Sequence, residues 1–166
     1  MRALPKIFAL LLVIVLSANI AYSHCQIPCG IYGDYTRIDL LREHISTIEK
    51  AMNQVNDLSK DPSANMNQLV RWVDNKDTHA DEFTEIVTYY FLSQRIKIVD
   101  SAKADEFKAY QNKVTLLHQM MVFSMKSKQT TDIKNAEELK SLVGQFVEVY
   151  FTAEQKGHLK EHNKNH

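Results

Sequence analysis

The sequence predicts an all-α protein, an up-and-down bundle of four helices. Two observations predict this fold. Apolar residues recur at spacings of three and four along four successive segments, as on the buried face of a packed helix. The chain has only 4 glycines and 3 prolines, too few for a turn-rich β fold, and no period-2 pattern competes with the helical one.

Residues 1–23 have the three parts of a secretory signal peptide. Basic residues come first, an apolar run follows at Ile7–Leu16, and small residues stand at positions 21 and 23, which a signal peptidase reads. The apolar run is shorter than the roughly 20 residues of a membrane span. We therefore expect cleavage after Ser23 rather than an uncleaved anchor. The mature protein would be exported, to a periplasm, a lumen or the outside of the cell, with no membrane segment.

Size and charge exclude one class of partner. Cleavage would leave about 143 of the 166 residues, the usual size of one domain. Removing Arg2 and Lys6 leaves the basic side chains two short of the 20 acidic ones, a net charge of about −2. A chain without a basic excess is not expected to bind nucleic acid.

The four apolar series define the helices in order. They are Ile38, Leu41, Ile45, Ile48, Met52 and Val55; Met66, Leu69, Val73, Ala80, Phe83, Val87 and Tyr90; Phe107, Tyr110, Val114, Leu117 and Met121; and Leu139, Val143, Phe146, Val149 and Ala153. Breaks are expected at residues 57–65, near Ser101 and at 127–135. We therefore assign residues 34–157 to the bundle and 158–166 to a polar tail.

Two capping boxes and one cap are predicted at the helix ends. Thr36-x-x-Asp39 and Asn135-x-x-Glu138 have the spacing of capping boxes. Gly157 is a suitable residue to end the fourth helix.

Most histidines are interpreted as structural. His44, His79 and His118 lie on three different helices, and no ligand-like partner is predicted near any of them. In the tail, His158 and His162 are followed by His166 at the same spacing of four. A loose metal site there is less favoured than a frayed polar end.

Residues 24–32 concentrate the reactive groups, since they read His-Cys-Gln-Ile-Pro-Cys-Gly-Ile-Tyr and hold both cysteines. A Cys25–Cys29 disulfide is the usual expectation for an exported protein, but it would close a very short loop and stabilise the fold little. Cleavage after Ser23 would add a free amine at His24. That amine, the Cys25 amide nitrogen and two thiolates form a planar donor set that suits Ni(II) or Cu(II). Spacing alone leaves disulfide and metal evenly matched, and the N-terminal histidine favours the metal.

The pattern His24-Cys25-x-x-Pro28-Cys29-Gly30-x-Tyr32 resembles the nickel-binding hook of nickel superoxide dismutases. The resemblance extends over the mature chain, because that family also has a removable N-terminal extension and a four-helix bundle. Residues 71–91 are more loosely similar to the family's second helix. The resemblance implies a hook at residues 24–33 and a homohexamer in which each hook packs against neighbouring subunits.

The resemblance also implies the ligands and the pocket. His24, through its amine and imidazole, Cys25, through its amide nitrogen and thiolate, and Cys29, through its thiolate, would bind one nickel ion per subunit. Tyr32 would lie over the open face of the metal and order small ligands. Tyr90 would be a second tyrosine of the substrate pocket.

A further set of residues follows from the resemblance less directly. Asp39 would replace a family glutamate that orients the imidazole of the N-terminal histidine, although it would serve equally as a helix-capping carboxylate. The arginine that supports this glutamate has no clear counterpart. Asn75 occupies its aligned position, with Lys76 and Arg71 nearby. Pro28 and Gly30 would shape the hook through a fixed φ and a position without Cβ.

The implied activity is superoxide disproportionation. Nickel would cycle between Ni(III) and Ni(II), so that one superoxide leaves as dioxygen and a second as hydrogen peroxide. A leader-processing peptidase is an implied partner, because the amine ligand depends on cleavage. The residues also allow a non-enzymatic exported helical protein with a structural Cys25–Cys29 disulfide, or a metal-delivery protein that uses the hook and the histidine-containing tail.

Overall fold

The computed structural model describes Gly30 and residues 32–162, with side chains up to residue 157. The predicted signal peptide and the predicted metal ligands His24, Cys25 and Cys29 lie outside the described residues.

Helices make up all of the regular structure that is described. They are α1 (Asp34–Leu58), α2 (Pro62–Glu85), a π-helix that continues α2 (Ile86–Arg95), α3 (Ala104–Gln129), α4 (Lys134–Tyr150) and a short α5 (Ala153–His162). The all-α prediction is confirmed. Across the described ranges, no helix combines the length and apolarity that a membrane span requires.

The four long helices form an up-and-down bundle. Each packs on the next one in the chain, and α4 returns to pack on α1, so sequence neighbours are also spatial neighbours. The short connections between helices favour this antiparallel arrangement.

The core matches the predicted apolar series closely in α1 and less closely in the other helices. In α3 only Leu117 of the five predicted residues is buried, and in the fourth series Val149 is 36% exposed and Ala153 lies in α5. All six predicted positions of α1 are buried. Phe83 and Phe146 are also fully buried, while Phe91, outside the predicted series, packs edge-to-face on Phe146. The predictions for Met66 and Val73 at the start of α2 were wrong, because these side chains are 65% and 40% exposed.

The predicted helix ends need three corrections. Helix α1 begins at Asp34, ahead of Thr36, and α4 begins at Lys134, ahead of Asn135, so neither capping box stands at a helix start. Gly157 lies inside α5 and does not end a helix. Side-chain caps form instead at Asp61, whose carboxylate accepts from the Ala64 N–H at the start of α2, and at Thr152, whose hydroxyl accepts from the Gln155 N–H at the start of α5.

One buried lysine joins α2 to the end of α3. The Lys76 side chain is 2% exposed, and its Nζ donates to the Ser127 carbonyl at 2.6 Å, the Lys128 carbonyl at 2.7 Å and Asp77 Oδ1 at 2.7 Å. The last carbonyls of an α-helix have no partner within it. Lys76 therefore supplies from another helix the hydrogen bonds that the end of α3 lacks.

Replacing Lys76 with methionine tests this joint. Lys76→Met keeps most of the buried stem but leaves two carbonyls without their donor, so we expect the free energy of unfolding to fall by about 1–3 kcal/mol. Urea unfolding followed by circular dichroism measures the change. Lys60→Met is the matched control, because Lys60 is exposed and, among the described residues, its ammonium pairs only with Asp57 in its own segment. It should change stability by less than about 0.5 kcal/mol. Equal effects of the two substitutions would contradict the role given to Lys76.

Candidate functional site

The site lies at the end of the bundle where α1 begins. Tyr32 is only three residues after Cys29 in the chain. Because a chain spans at most about 3.6 Å per residue, the Cα atoms of these two residues are within about 11 Å of each other. Any metal bound by Cys29 therefore lies near Tyr32 and the groups that surround it. Gly30 has a φ of 72°, a left-handed conformation that favours glycine, as expected from the hook pattern.

Asp34, the first residue of α1, is the centre of this end of the molecule. Arg95 donates to both carboxylate oxygens, from Nε to Oδ1 at 2.9 Å and from Nη2 to Oδ2 at 2.7 Å. The Tyr90 hydroxyl donates to Oδ1 at 2.5 Å and the Tyr150 hydroxyl to Oδ2 at 2.8 Å. One carboxylate thus connects α1, the π-helix and the end of α4.

The π-helix is what brings Tyr90 and Arg95 to the same carboxylate. In an α-helix, residues five apart point about 140° away from each other. In a π-helix the backbone bonds residues five apart, so they lie nearly one above the other. The Ile96 N–H donates to the Phe91 carbonyl at 3.0 Å, a backbone hydrogen bond between residues five apart. The wider winding therefore places both donors on the side that faces Asp34.

Two arginines and two tyrosines surround the point where the hook joins the bundle. The Arg95 guanidinium lies 4.3 Å from the centre of the Tyr32 ring, and the Arg37 guanidinium 5.2 Å from that of Tyr90. The two tyrosine rings meet edge-to-face with centroids 6.1 Å apart. Tyr90 is buried at 2% exposure, whereas Tyr32 is 48% exposed and is the tyrosine that solvent can reach.

The hydrogen bonds to Asp34 shift the pKa values of the groups around it. Burial alone would raise the pKa of Asp34, but hydrogen bonds from Arg95, Tyr90 and Tyr150 outweigh it, and the net pKa is lower than the usual 3.8. Burial and the neighbouring carboxylate raise the pKa of Tyr90 and of Tyr150 well above 10. At neutral pH the carboxylate is ionised and both phenols keep their protons.

A model of the family described as nickel-containing superoxide dismutase matches residues 19–154, which is more than half of the chain. The chain belongs to this family. It is therefore a superoxide dismutase, an oxidoreductase with a nickel cofactor. No curated protein and no solved structure matches the chain.

The predicted donors fit nickel chemically. Thiolate, imidazole and amide nitrogen are ligands that Ni(II) accepts, and Cys25 and Cys29 are the only thiols of the chain. The matched range begins before His24 and so includes all three predicted ligands. Their coordination stays a prediction, because these residues lie outside the described part of the chain.

The structure brings together two of the predicted pocket residues. Tyr32 and Tyr90 are in edge-to-face contact, and their roles toward metal and substrate stay predictions. Asp39 lies on α1 with its carboxylate 3.1 Å from Nη1 of Arg42, and its role toward the His24 imidazole stays a prediction.

The basic residues that were considered near the aligned arginine position lie elsewhere. Lys76 stands fourteen residues before Tyr90, roughly 20 Å along the helix. Its ammonium group is hydrogen-bonded to carbonyls at the end of α3. The Asn75 side-chain oxygen is buried and has no hydrogen-bond partner within the described residues. The arginines that contact the tyrosine pair are Arg37 and Arg95.

Sequence reasoning missed Asp34, Arg95 and Tyr150. Asp34 was assigned only to the first position of the bundle, where a lone acidic residue gives no distinctive signal. Arg95 lies five residues after Tyr90, a spacing that predicts opposite faces in an ordinary helix. The available signal was the position of Asp34 two residues after Tyr32, close to the reactive groups of the hook.

The expectation that His44 and His79 have no partner was wrong. Their Nδ1 atoms are 2.9 Å apart, and Glu82 lies beside both. Periodicity assigned each histidine to its own helix but could not show that the two helices meet at that level. His118 is exposed on α3.

Replacing Asp34 with asparagine tests the central carboxylate. We expect Asp34→Asn to lower the free energy of unfolding at pH 7 by about 1.5–3 kcal/mol, the range for hydrogen bonds to a charged group. Because the pKa of Asp34 is lowered from 3.8 in the folded protein, its ionised form stabilises the fold above pH 3.8. This contribution is lost as the pH falls through the lower, folded-state pKa, so the two proteins should become more alike in strong acid.

Urea unfolding at pH 7 and at pH values below 3.8 measures this difference. Asp57→Asn is the control, since Asp57 is exposed and its carboxylate pairs only with Lys60 in the part of the chain that the structure describes. It should change stability by less than about 0.5 kcal/mol. A difference between wild type and Asp34→Asn that is the same at every pH would show that the charge of Asp34 is not what stabilises this end of the bundle.

Proposed function

We propose that the dismutase activity resides at the N-terminal hook, with nickel held by His24, Cys25 and Cys29 once the chain has been cleaved after Ser23. The observation that carries this proposal is the family match, which spans the hook and most of the bundle in one continuous range. The contact between Tyr32 and Tyr90, within chain reach of Cys29, supports the same location.

Nickel, when bound, supplies the one-electron couple that oxidises one superoxide to dioxygen and reduces a second, with two protons, to hydrogen peroxide. The chain's own contribution begins with charge. Asp34 neutralises the charge of Arg95, so Arg37 leaves a net positive charge beside the tyrosine pair, which favours the approach of an anionic substrate.

The two tyrosines have different roles in this proposal. The Tyr90 hydroxyl donates its proton to Asp34 and accepts a hydrogen bond from the Gly33 backbone, so its proton is already engaged. Tyr32 is half exposed, and its ring is fixed by Arg95 and Tyr90. Tyr32 is therefore the residue whose hydroxyl can order a small oxygen species, and Tyr90 is a positioning residue. Asp39 is retained as the residue that would orient the His24 imidazole.

Cleavage makes the site in this proposal, because the amine of His24 exists only as a chain terminus. A leader-processing peptidase is the partner that this requires, and export is the expected fate of the mature protein. The proposal also predicts thiols that are free in the metal-free protein rather than joined as a Cys25–Cys29 disulfide.

Changes to the hook test the proposed ligands. In nickel-loaded mature protein, Cys25→Ser, Cys29→Ser or His24→Ala should abolish superoxide removal, because each deletes a donor, while far-UV circular dichroism should remain that of the wild type. One alanine inserted before His24 should have the same effect, because it converts the terminal amine to an amide. Stopped-flow superoxide decay measures activity, and elemental analysis measures bound nickel.

Gln26→Ala is the matched control within the hook, since no donor role is assigned to its side chain. It should keep nickel and activity. Full activity in the alanine-extended protein would contradict the amine ligand, and an intact mass that shows oxidised, non-reactive thiols would instead support the structural disulfide.

An exposed apolar stripe on α2 supports the proposed homo-oligomer, a hexamer by resemblance. Met66 and Val70 are each 65% exposed and Val73 is 40% exposed. Their spacings of four and three place them on one face of the helix. Exposed apolar patches of this kind commonly mark protein–protein contacts.

A charge in this stripe should disrupt assembly. Val70→Glu is expected to shift the protein toward smaller species in sedimentation velocity, because a carboxylate would be buried at the contact without a partner. Asn67→Glu is the control, since Asn67 is exposed on the same helix but is not one of the three apolar residues. A wild-type protein that is monomeric at all concentrations would contradict the proposed assembly.

A further inference from the structure

Two histidines and a glutamate meet between α1 and α2. The Nδ1 atoms of His44 and His79 are 2.9 Å apart, and Glu82 Oε2 lies 3.4 Å from each of them. The His44 side chain is 12% exposed, His79 25% and Glu82 48%, so the three donors form a half-buried cluster with one open side.

The helices hold this cluster in place. His79 and Glu82 are one turn apart on α2 and share a face, and His44 projects from the facing part of α1. Bundles build metal sites in this way, from carboxylate and imidazole groups spaced by three residues on one helix and a ligand on its neighbour. No loop is needed to bring the donors together.

The distances are those of ligands around a single ion. The three donor atoms form a triangle with sides of 2.9, 3.4 and 3.4 Å. Zinc–nitrogen and zinc–oxygen bonds are about 2.1 Å long. A point at this distance from all three atoms lies just off the plane of the triangle. All three groups can therefore contact one ion without a change in the backbone.

The chemistry of the donors selects the class of ion. Two imidazole nitrogens and one carboxylate oxygen suit first-row divalent transition metals rather than calcium or magnesium, which prefer oxygen ligands alone. Two histidines and one glutamate, with a fourth position left to water, is also a known zinc arrangement.

We propose that His44, His79 and Glu82 form a second metal site, which binds one divalent transition-metal ion and for which Zn²⁺ is the best match in geometry. The site is separate from the nickel hook. His44 is ten residues after Asp34, about 15 Å along α1 from the central carboxylate. An open cleft of about 440 Å³ borders His44 and Glu82 and gives the fourth position access to solvent.

Without an ion, a single proton lies between the two ring nitrogens, because only one Nδ1 can donate to the other. Burial lowers the pKa of His44, which keeps that imidazole neutral at neutral pH. With an ion bound, the ring that donates would change to its Nε2–H tautomer, so that both Nδ1 atoms present a lone pair to the metal. The carboxylate of Glu82 would offset part of the ion's charge.

The test uses the full mature chain with the donors of the hook removed by His24→Ala, Cys25→Ser and Cys29→Ser. Zn²⁺ alone is titrated by calorimetry, and the zinc retained after gel filtration is measured by elemental analysis. We expect one zinc per chain. Adding Glu82→Gln or His79→Gln should weaken binding by at least about tenfold, since even outer-shell partners of metal ligands contribute this much.

Matched controls separate this site from other histidines. His118→Gln should leave zinc binding unchanged, because His118 is exposed on α3. The pair His158→Gln with His162→Gln should also leave it unchanged. Loss of zinc in either control, retention of it in Glu82→Gln and His79→Gln, or no binding to the starting variant would overturn the proposal. Circular dichroism confirms that each variant is folded, and the half-exposed position of Glu82 makes its near-isosteric amide a mild change.

Discussion

The arrangement of the functional end depends on one carboxylate. Asp34 begins α1, and its four hydrogen bonds join that helix to the π-helix and to the end of α4. Arg95 then transmits this order to Tyr32 by lying over its ring. A partly buried carboxylate is costly unless its oxygens are satisfied, and here both oxygens accept from charged or phenolic donors. The same bonds that stabilise the charge therefore fix the residues next to the hook.

In this arrangement, one tyrosine holds the structure together and another is left accessible to solvent. Tyr32 and Gly33 are the last residues of the chain before α1, so the predicted hook enters the bundle beside Asp34. Tyr90 carries the structural task, since its proton is committed to Asp34. Tyr32 is anchored through its ring and half exposed, so under the proposed function its hydroxyl would remain available to small molecules. Anchoring one tyrosine through another would leave that position both ordered and accessible.

The long helices and the hook motif could be predicted from the sequence, because both are recognised by the spacing of residues that are close together in the chain. The apolar series of α1 identified its buried face correctly at all six positions. Contacts between distant segments were not accessible in this way. Arg95 reaches Asp34 through a π-helical winding that no periodicity indicates, and His44 meets His79 because of the relative level of two helices. Met66 and Val73 have the spacing of a buried helix face but are exposed. Periodicity shows which residues share a face and does not show whether another helix covers that face.

The wide winding of Ile86–Arg95 has a consequence for chain length. Residues four apart in an ordinary α-helix share a face, as do residues five apart in this π-helix. A relative with one residue fewer between the counterparts of Tyr90 and Arg95 would be expected to keep the same pair on Asp34 with standard helical hydrogen bonds. A relative of equal length would need the wide turns. Insertions and deletions at this segment would therefore be absorbed by the type of helix rather than by the position of the arginine.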